Sequence, residues 1–160
     1  MYINESDFIQ FISTERSFAV IKKAKIKIES TIENLNSAGL PEGDGEKTVT
    51  EADGTYRYNN GEAVVMYKEN SEGGEISTRI SLVSDTVSVK REGAIESLLF
   101  FKEGERNLSL YSIPPYKFDA EVYAKRVRVN LTADGGSIDL LYNMKIGGAE
   151  KSARMKIWIS

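Results

Sequence analysis

No histidine and no cysteine occurs in the 160 residues of this chain. The first absence removes the usual general base near neutral pH, the Ser-His-Asp arrangement, and most zinc, copper and haem sites. The second removes disulfides, thiol nucleophiles and cysteine-held metals, and suits a reducing compartment. There is no G-x-x-x-x-G-K-[ST], no G-x-G-x-x-G after a strand and no G-x-S-x-G elbow. Catalysis would have to rest on carboxylates, lysines, tyrosines or a bound hard cation, so a non-enzyme is expected. The acidic run Glu42 to Glu46, followed by Glu51 and Asp53, lacks the ligand spacing of a calcium loop, and no metal or cofactor is expected. No apolar run approaches the ~18–20 residues of a membrane span. The N-terminus lacks the pattern of a secretory signal, so a cytoplasmic location is expected. Basic residues are outnumbered 21 to 24, giving a formal net charge of −3. A wide grip on nucleic acid or anionic lipid normally needs the opposite balance.

What the chain has in abundance is period-2 alternation. Ala24, Ile26, Ile28, Ser30 and Ile32 interleave with Lys23, Lys25, Lys27, Glu29 and Thr31, the mark of a strand with one dry face. Asn36 to Gly45 reads as a glycine-rich loop, and a second strand is expected from about Glu46 to Asn59, with Gly54 marking a bulge or bend. Asn59-Asn60-Gly61 is a strong hairpin turn. Further turns fall at Glu72-Gly73-Gly74, Ser84-Asp85, Glu92-Gly93, Lys102 to Glu105, Pro114-Pro115 and Asp134-Gly135-Gly136. Between Arg106 and Ser112 the apolar pair Leu108 and Leu110 takes one face and Tyr111 the other. Phe118 to Ala124 and Val127 to Leu131 alternate in opposite phases, which places a bulge near Lys125-Arg126. A closing hairpin follows, Ile138 to Ile146 and Ala149 to Ile159, turned by Gly147-Gly148.

The sum is an all-β chain: eight to ten antiparallel strands in a meander without crossover helices. An up-and-down β-barrel fits better than a sandwich, because no connection is long enough for a Greek key and closure lets the first strand pair with the last. Residues 1–19 form a separate N-terminal extension. Residues 2–17 have helical spacing, with Phe8, Ile9, Phe11 and Ile12 on one side. They are expected to cap the barrel domain of residues 20–160, the alternatives being a homodimer contact, a segment that swings over a pocket, or a disordered extension.

The segments Lys25-Ile-Lys-Ile-Glu-Ser30, Thr50-Glu-Ala-Asp-Gly-Thr-Tyr56, Val89-Lys-Arg-Glu-Gly93, Pro115-Tyr116, Gly136-Ser-Ile-Asp-Leu-Leu-Tyr142 and Ala153-Arg-Met-Lys-Ile157 occur in an order that resembles the YwiB-like family of small bacterial proteins. The likeness runs from about residue 20 to the end. It implies a calycin-like, lipocalin-type barrel of unknown function in a bacterial cytoplasm, and it brings no catalytic residues.

Two candidate sites follow from the alternation. If the apolar phase faces inward, the lumen holds a polar minority that includes Tyr56, Tyr58, Tyr67, Arg91 and Tyr142. An apolar wall with a few tyrosines and one arginine suits a small apolar or amphipathic ligand, the arginine pairing a carboxylate. The plainer role for the same groups is to close the barrel by bonding to backbone or to an acid such as Glu96. Outside, Lys23, Lys25 and Lys27 of the first strand and Arg154 and Lys156 of the last would gather on one wall, with Arg126 and Arg128 extending it. Such a wall suits RNA or an acidic protein. Lysines on an outward face more commonly serve solvation and protection against edge pairing.

Overall fold

The computed structural model describes residues 21–160; the helix expected over 2–17 lies outside them. Ten strands follow one another: β1 (Lys22–Leu35), β2 (Pro41–Asn59), β3 (Glu62–Ser71), β4 (Gly74–Val83), β5 (Thr86–Gly93), β6 (Glu96–Phe101), β7 (Arg106–Ile113), β8 (Tyr116–Thr132), β9 (Gly135–Ile146) and β10 (Ala149–Ile159). Each pairs antiparallel with its neighbour in sequence, and β1 pairs with β10 to close the barrel. Among the described residues no helix is long and apolar enough to cross a membrane.

Turn chemistry sets this order locally. Asn60 and Gly61 both take positive φ (50° and 82°), as do Gly147 and Gly148 (55° and 82°). Two successive positive-φ residues twist with the right-handed twist of the flanking strands, so each hairpin closes in two residues. The expected bulge is present as a register shift between Ala124 and Arg126. It hands the inward phase from Ala120, Val122 and Ala124, all buried, to Val127 and Leu131.

Three expectations are corrected. Strand β2 begins at Pro41, not near Glu46, because β1 runs on to Leu35 and pairs with it. The extra residues of Gly43 to Gly45 are absorbed where the register shifts between Ile32 and Asn34. Gly54 marks no bulge: it pairs with Ala24 and Tyr67 in regular register. It is needed for close approach, since an added Cβ would collide with the Met66 carbonyl oxygen and lie 2.6 Å from Ile26 Cδ1. In β7, Leu108 and Leu110 face solvent, 79% and 53% exposed. The strand pairs with β8 so that Asn107, Ser109 and Tyr111 lie level with the inward residues Val122, Ala120 and Phe118. Sheet register overrides apolar content there.

The core is the lumen itself. Ile26, Ile28, Val65, Ile80, Val89, Val122, Ile138, Leu140 and Ile157 are each at most 5% exposed and belong to one cluster. Burying each such side chain stabilises by roughly 1.5–3 kcal/mol. The wall is uneven, however. Strands β6 and β7 share only Glu96↔Ser112 and Ser97↔Tyr111, whereas β1 and β10 share nine pairs, Ile26↔Ile159 to Asn34↔Lys151. The Gly54→Ala substitution should cost about 3 kcal/mol in denaturant unfolding, because the colliding atom is backbone and cannot swing aside. A loss within the noise of a surface control would show that the β2–β3 wall yields there.

Candidate functional site in the barrel lumen

Five adjacent strands each bring one polar side chain to a single inner level. The register runs Tyr67↔Thr78, Thr78↔Arg91, Arg91↔Ser97 and Ser97↔Tyr111, across β3 to β7. Directly paired residues share a face, so these side chains form one belt. Tyr67, Thr78 and Ser97 are buried, and Arg91 and Tyr111 are half-buried. Tyr142 is also buried, and its ring meets Phe101 edge-on at 4.8 Å.

Burial governs the ionisation of Tyr142 and Tyr67. Loss of solvent pushes the Tyr142 hydroxyl up to about 12, against the pull of Arg91 and with a small push from Tyr111. Tyr67 is raised by the same cause, while Thr78 and Arg91 lean toward its hydroxyl and oppose the shift. Neither Thr78 Oγ1 nor Arg91 Nε completes a well-formed hydrogen bond, although both atoms are buried. No carboxylate among the described residues lies within salt-bridge distance of Arg91; Glu96 is exposed and sits on the opposite phase of β6.

The lumen candidates therefore divide. Tyr67, Arg91 and Tyr142 come together. Tyr56 and Tyr58 lie one and two inner levels nearer the β2–β3 turn, paired with Val65 and Ala63. Tyr56 is fully buried and donates its hydroxyl to the Thr132 carbonyl oxygen at 2.7 Å, a structural bond that ties β2 to the end of β8. Burial first, then Tyr58, raises its pKa to about 12. Tyr111 joins the belt although the alternation around Leu108 and Leu110 gave no reason to include it. The only available signal was the register with Phe118 across the Pro114-Pro115 turn.

The outer wall is mixed in sign. Strands β1 and β10 do place Lys27 against Trp158 and Glu29 against Lys156. Lys27 and Lys156 stand over the Trp158 ring at 5.7 and 5.6 Å. Carboxylates interrupt the basic residues throughout. Lys25 lies 3.8 Å from Asp53, Lys27 3.8 Å from Glu29, and Arg154 binds Asp139 through both Nε (3.1 Å) and Nη2 (2.8 Å). That fork, chiefly its hydrogen bonds, holds Asp139 below the usual carboxylate range. Lys23 is exposed beside Thr55. A groove of about 500 Å³ runs between Lys25, Lys27, Glu51, Asp53 and Trp158. A second, of about 240 Å³, lies between Arg128, Asp139, Lys156 and Trp158. A third hollow, of about 520 Å³, sits at the rim between Leu82, Lys102, Glu103 and Val129. None of the three reaches Arg91. Among the described residues no group of three or more acidic side chains converges as a metal site would require.

These features define a closed ten-stranded antiparallel barrel whose lumen carries one polar belt around an arginine. The chain belongs to the family described as a domain of unknown function, DUF1934, whose profile matches residues 26–159. It is similar to the uncharacterized beta-barrel protein YwiB of Bacillus subtilis (strain 168), 23% identical over 119 residues that span 73% of this chain and 84% of the relative. The crystal structure of the Bacillus subtilis ywiB protein superposes with a TM-score of 0.76 at 19% identity, covering 92% of this chain and 96% of that one. That likeness carries the fold.

Tyr56 and Tyr142 stay protonated in the folded chain while the unfolded chain ionises near pH 10. Their folded pKa is raised, so stability is full below pH 10 and falls as pH climbs from 10 toward 12. A titration of tyrosinate absorbance should show a late-ionising fraction among the eight tyrosines. Tyr142→Phe should shrink that fraction; an unchanged curve would mean its ring is wet.

Proposed function

We propose that this barrel is a non-catalytic binding module that takes a small amphipathic anion into its lumen. The apolar body would lie among the inward Ile, Val and Leu side chains and the acidic head against Arg91. The observation that carries this reading is the state of Arg91: an inward guanidinium with no carboxylate partner among the described residues, beside Thr78. A buried polar atom without a hydrogen bond costs about 1–3 kcal/mol. A carboxylate head would satisfy Arg91 Nε and Thr78 Oγ1 together through charge-assisted bonds. Access is consistent with this. The seam between β6 and β7 has two residue pairs, and one of them, Ser97↔Tyr111, lies in the belt itself. Parting that seam costs the least pairing of any in the barrel and opens the wall at the arginine.

The outer wall supports a second reading, an interaction face for RNA or an acidic protein. Trp158 between Lys27 and Lys156 favours it. The interleaved Glu29, Glu51, Asp53 and Asp139 weaken it, because they would repel phosphates along the same track.

Lauric acid and dodecanol separate the head-group contribution from the apolar one. Native mass spectrometry and tryptophan-independent calorimetry should show the acid binding more tightly than the alcohol. Arg91→Met should weaken the acid by about tenfold or more while leaving the alcohol unchanged. The same variant should gain up to about 1 kcal/mol of stability, since it removes a half-buried cation that has no carboxylate partner among the described residues. Equal binding of acid and alcohol, or binding of neither, overturns the lumen reading.

A further inference from the structure

Two grooves flank Trp158, the sole tryptophan of the chain, on the outer wall. They differ in how their cations are balanced. In the larger groove Lys25 lies 3.8 Å from Asp53 and Lys27 3.8 Å from Glu29, and Glu51 adds a further carboxylate. The smaller, of about 240 Å³, is built by three strands in register. Arg128 of β8, Asp139 of β9 and Lys156 of β10 form one outward row, and Asn130, Ser137 and Trp158 form the next. Directly paired residues share a face, so all six line one hollow, with the short Ser137 as its floor. The carboxylate in it is already engaged. Arg154, on the adjoining outward row, grips Asp139 at 3.1 and 2.8 Å, and Arg126 of that row lies 3.8 Å away. Glu29, level with Lys156 on β1, is likewise held by Lys27 and Lys47 at 3.8 and 3.9 Å. Arg128 and Lys156 line the hollow with no carboxylate of the described residues within salt-bridge distance.

We infer that this hollow binds a small soluble phosphomonoester of about sugar-phosphate size, independently of the lumen. The backbones of β8 and β10 stand about 10 Å apart, so Arg128 and Lys156 close on one tetrahedral dianion from opposite sides through charge-assisted bonds. The Ser137 hydroxyl and the Asn130 amide supply neutral donors between them, and the body of the ester lies against Trp158. A carboxylate, with two oxygens in one plane, would leave part of this donor set unused. The volume falls below the ~300 Å³ at which pockets for drug-sized ligands begin, which selects a compact solute. A longer polyanion would cross β1 and β2, where Glu29, Glu51 and Asp53 repel it.

Since Trp158 is the only tryptophan, its fluorescence reports on this wall alone. Equilibrium dialysis of the full-length protein at low salt should retain glucose 6-phosphate and not glucose. Trp158 fluorescence should change saturably over the same concentrations. Arg128→Gln and Lys156→Gln should each weaken retention about tenfold or more. Arg128 is exposed, so its replacement leaves the barrel folded. Lys68→Gln, on the exposed face of β3, should leave retention unchanged. No retention of the ester overturns the proposal, as does retention that survives both Arg128→Gln and Lys156→Gln. Loss of retention with Arg91→Met also overturns it, because the anion then sits in the lumen. Binding to vesicles of phosphatidylcholine and phosphatidic acid without retention of the soluble ester assigns the hollow to a lipid headgroup and overturns the soluble ligand.

Discussion

The pairing of β1 with β10 is the constraint on which the rest of the molecule depends. Nine residue pairs join them, and Lys25 and Ser160 extend the ladder with two further backbone bonds of 2.7 and 3.0 Å. Without it the meander would be an open sheet with two long edges, each a row of unpaired N–H and C=O groups. With it, every strand has two neighbours, and the inward side chains of both halves share one core. The closure joins residues more than a hundred positions apart, so it is favourable only because it buries Ile26, Ile28, Met155, Ile157 and Ile159 together.

Closure also determines where polarity becomes expensive. On an open sheet the belt from Tyr67 to Tyr111 would be a wet stripe. Inside the barrel much of it is taken out of water, which raises the pKa of Tyr67, as of nearby Tyr142, and leaves Arg91 and Thr78 with unsatisfied atoms. A core built for stability alone would place apolar groups there. The same closure is thinnest at β6–β7, where two pairs hold the wall beside that belt.

The outside follows different rules. Its charges are short-range and mostly balanced, so Arg154 and Asp139 form a local fork instead of a field. Similarity to the Bacillus subtilis barrel at 19% identity fits a fold specified by alternation and turn chemistry more than by particular side chains. Patterns of that kind prescribe a barrel and leave its surfaces free to differ.

The sequence alone determined the strand class, nearly all the turns, the Ala124/Arg126 bulge and the closing hairpin, because period-2 alternation and positive-φ residues act over a few neighbours. It also placed Tyr67, Arg91 and Tyr142 on the inner face, for the same reason. Tertiary structure decided which of these inward groups meet. Level in the barrel depends on register summed across several strands, and that separated Tyr56 from Arg91 and brought in Tyr111. It likewise turned Leu108 and Leu110 outward, since pairing with β8 fixes the phase of β7 whatever its side chains prefer.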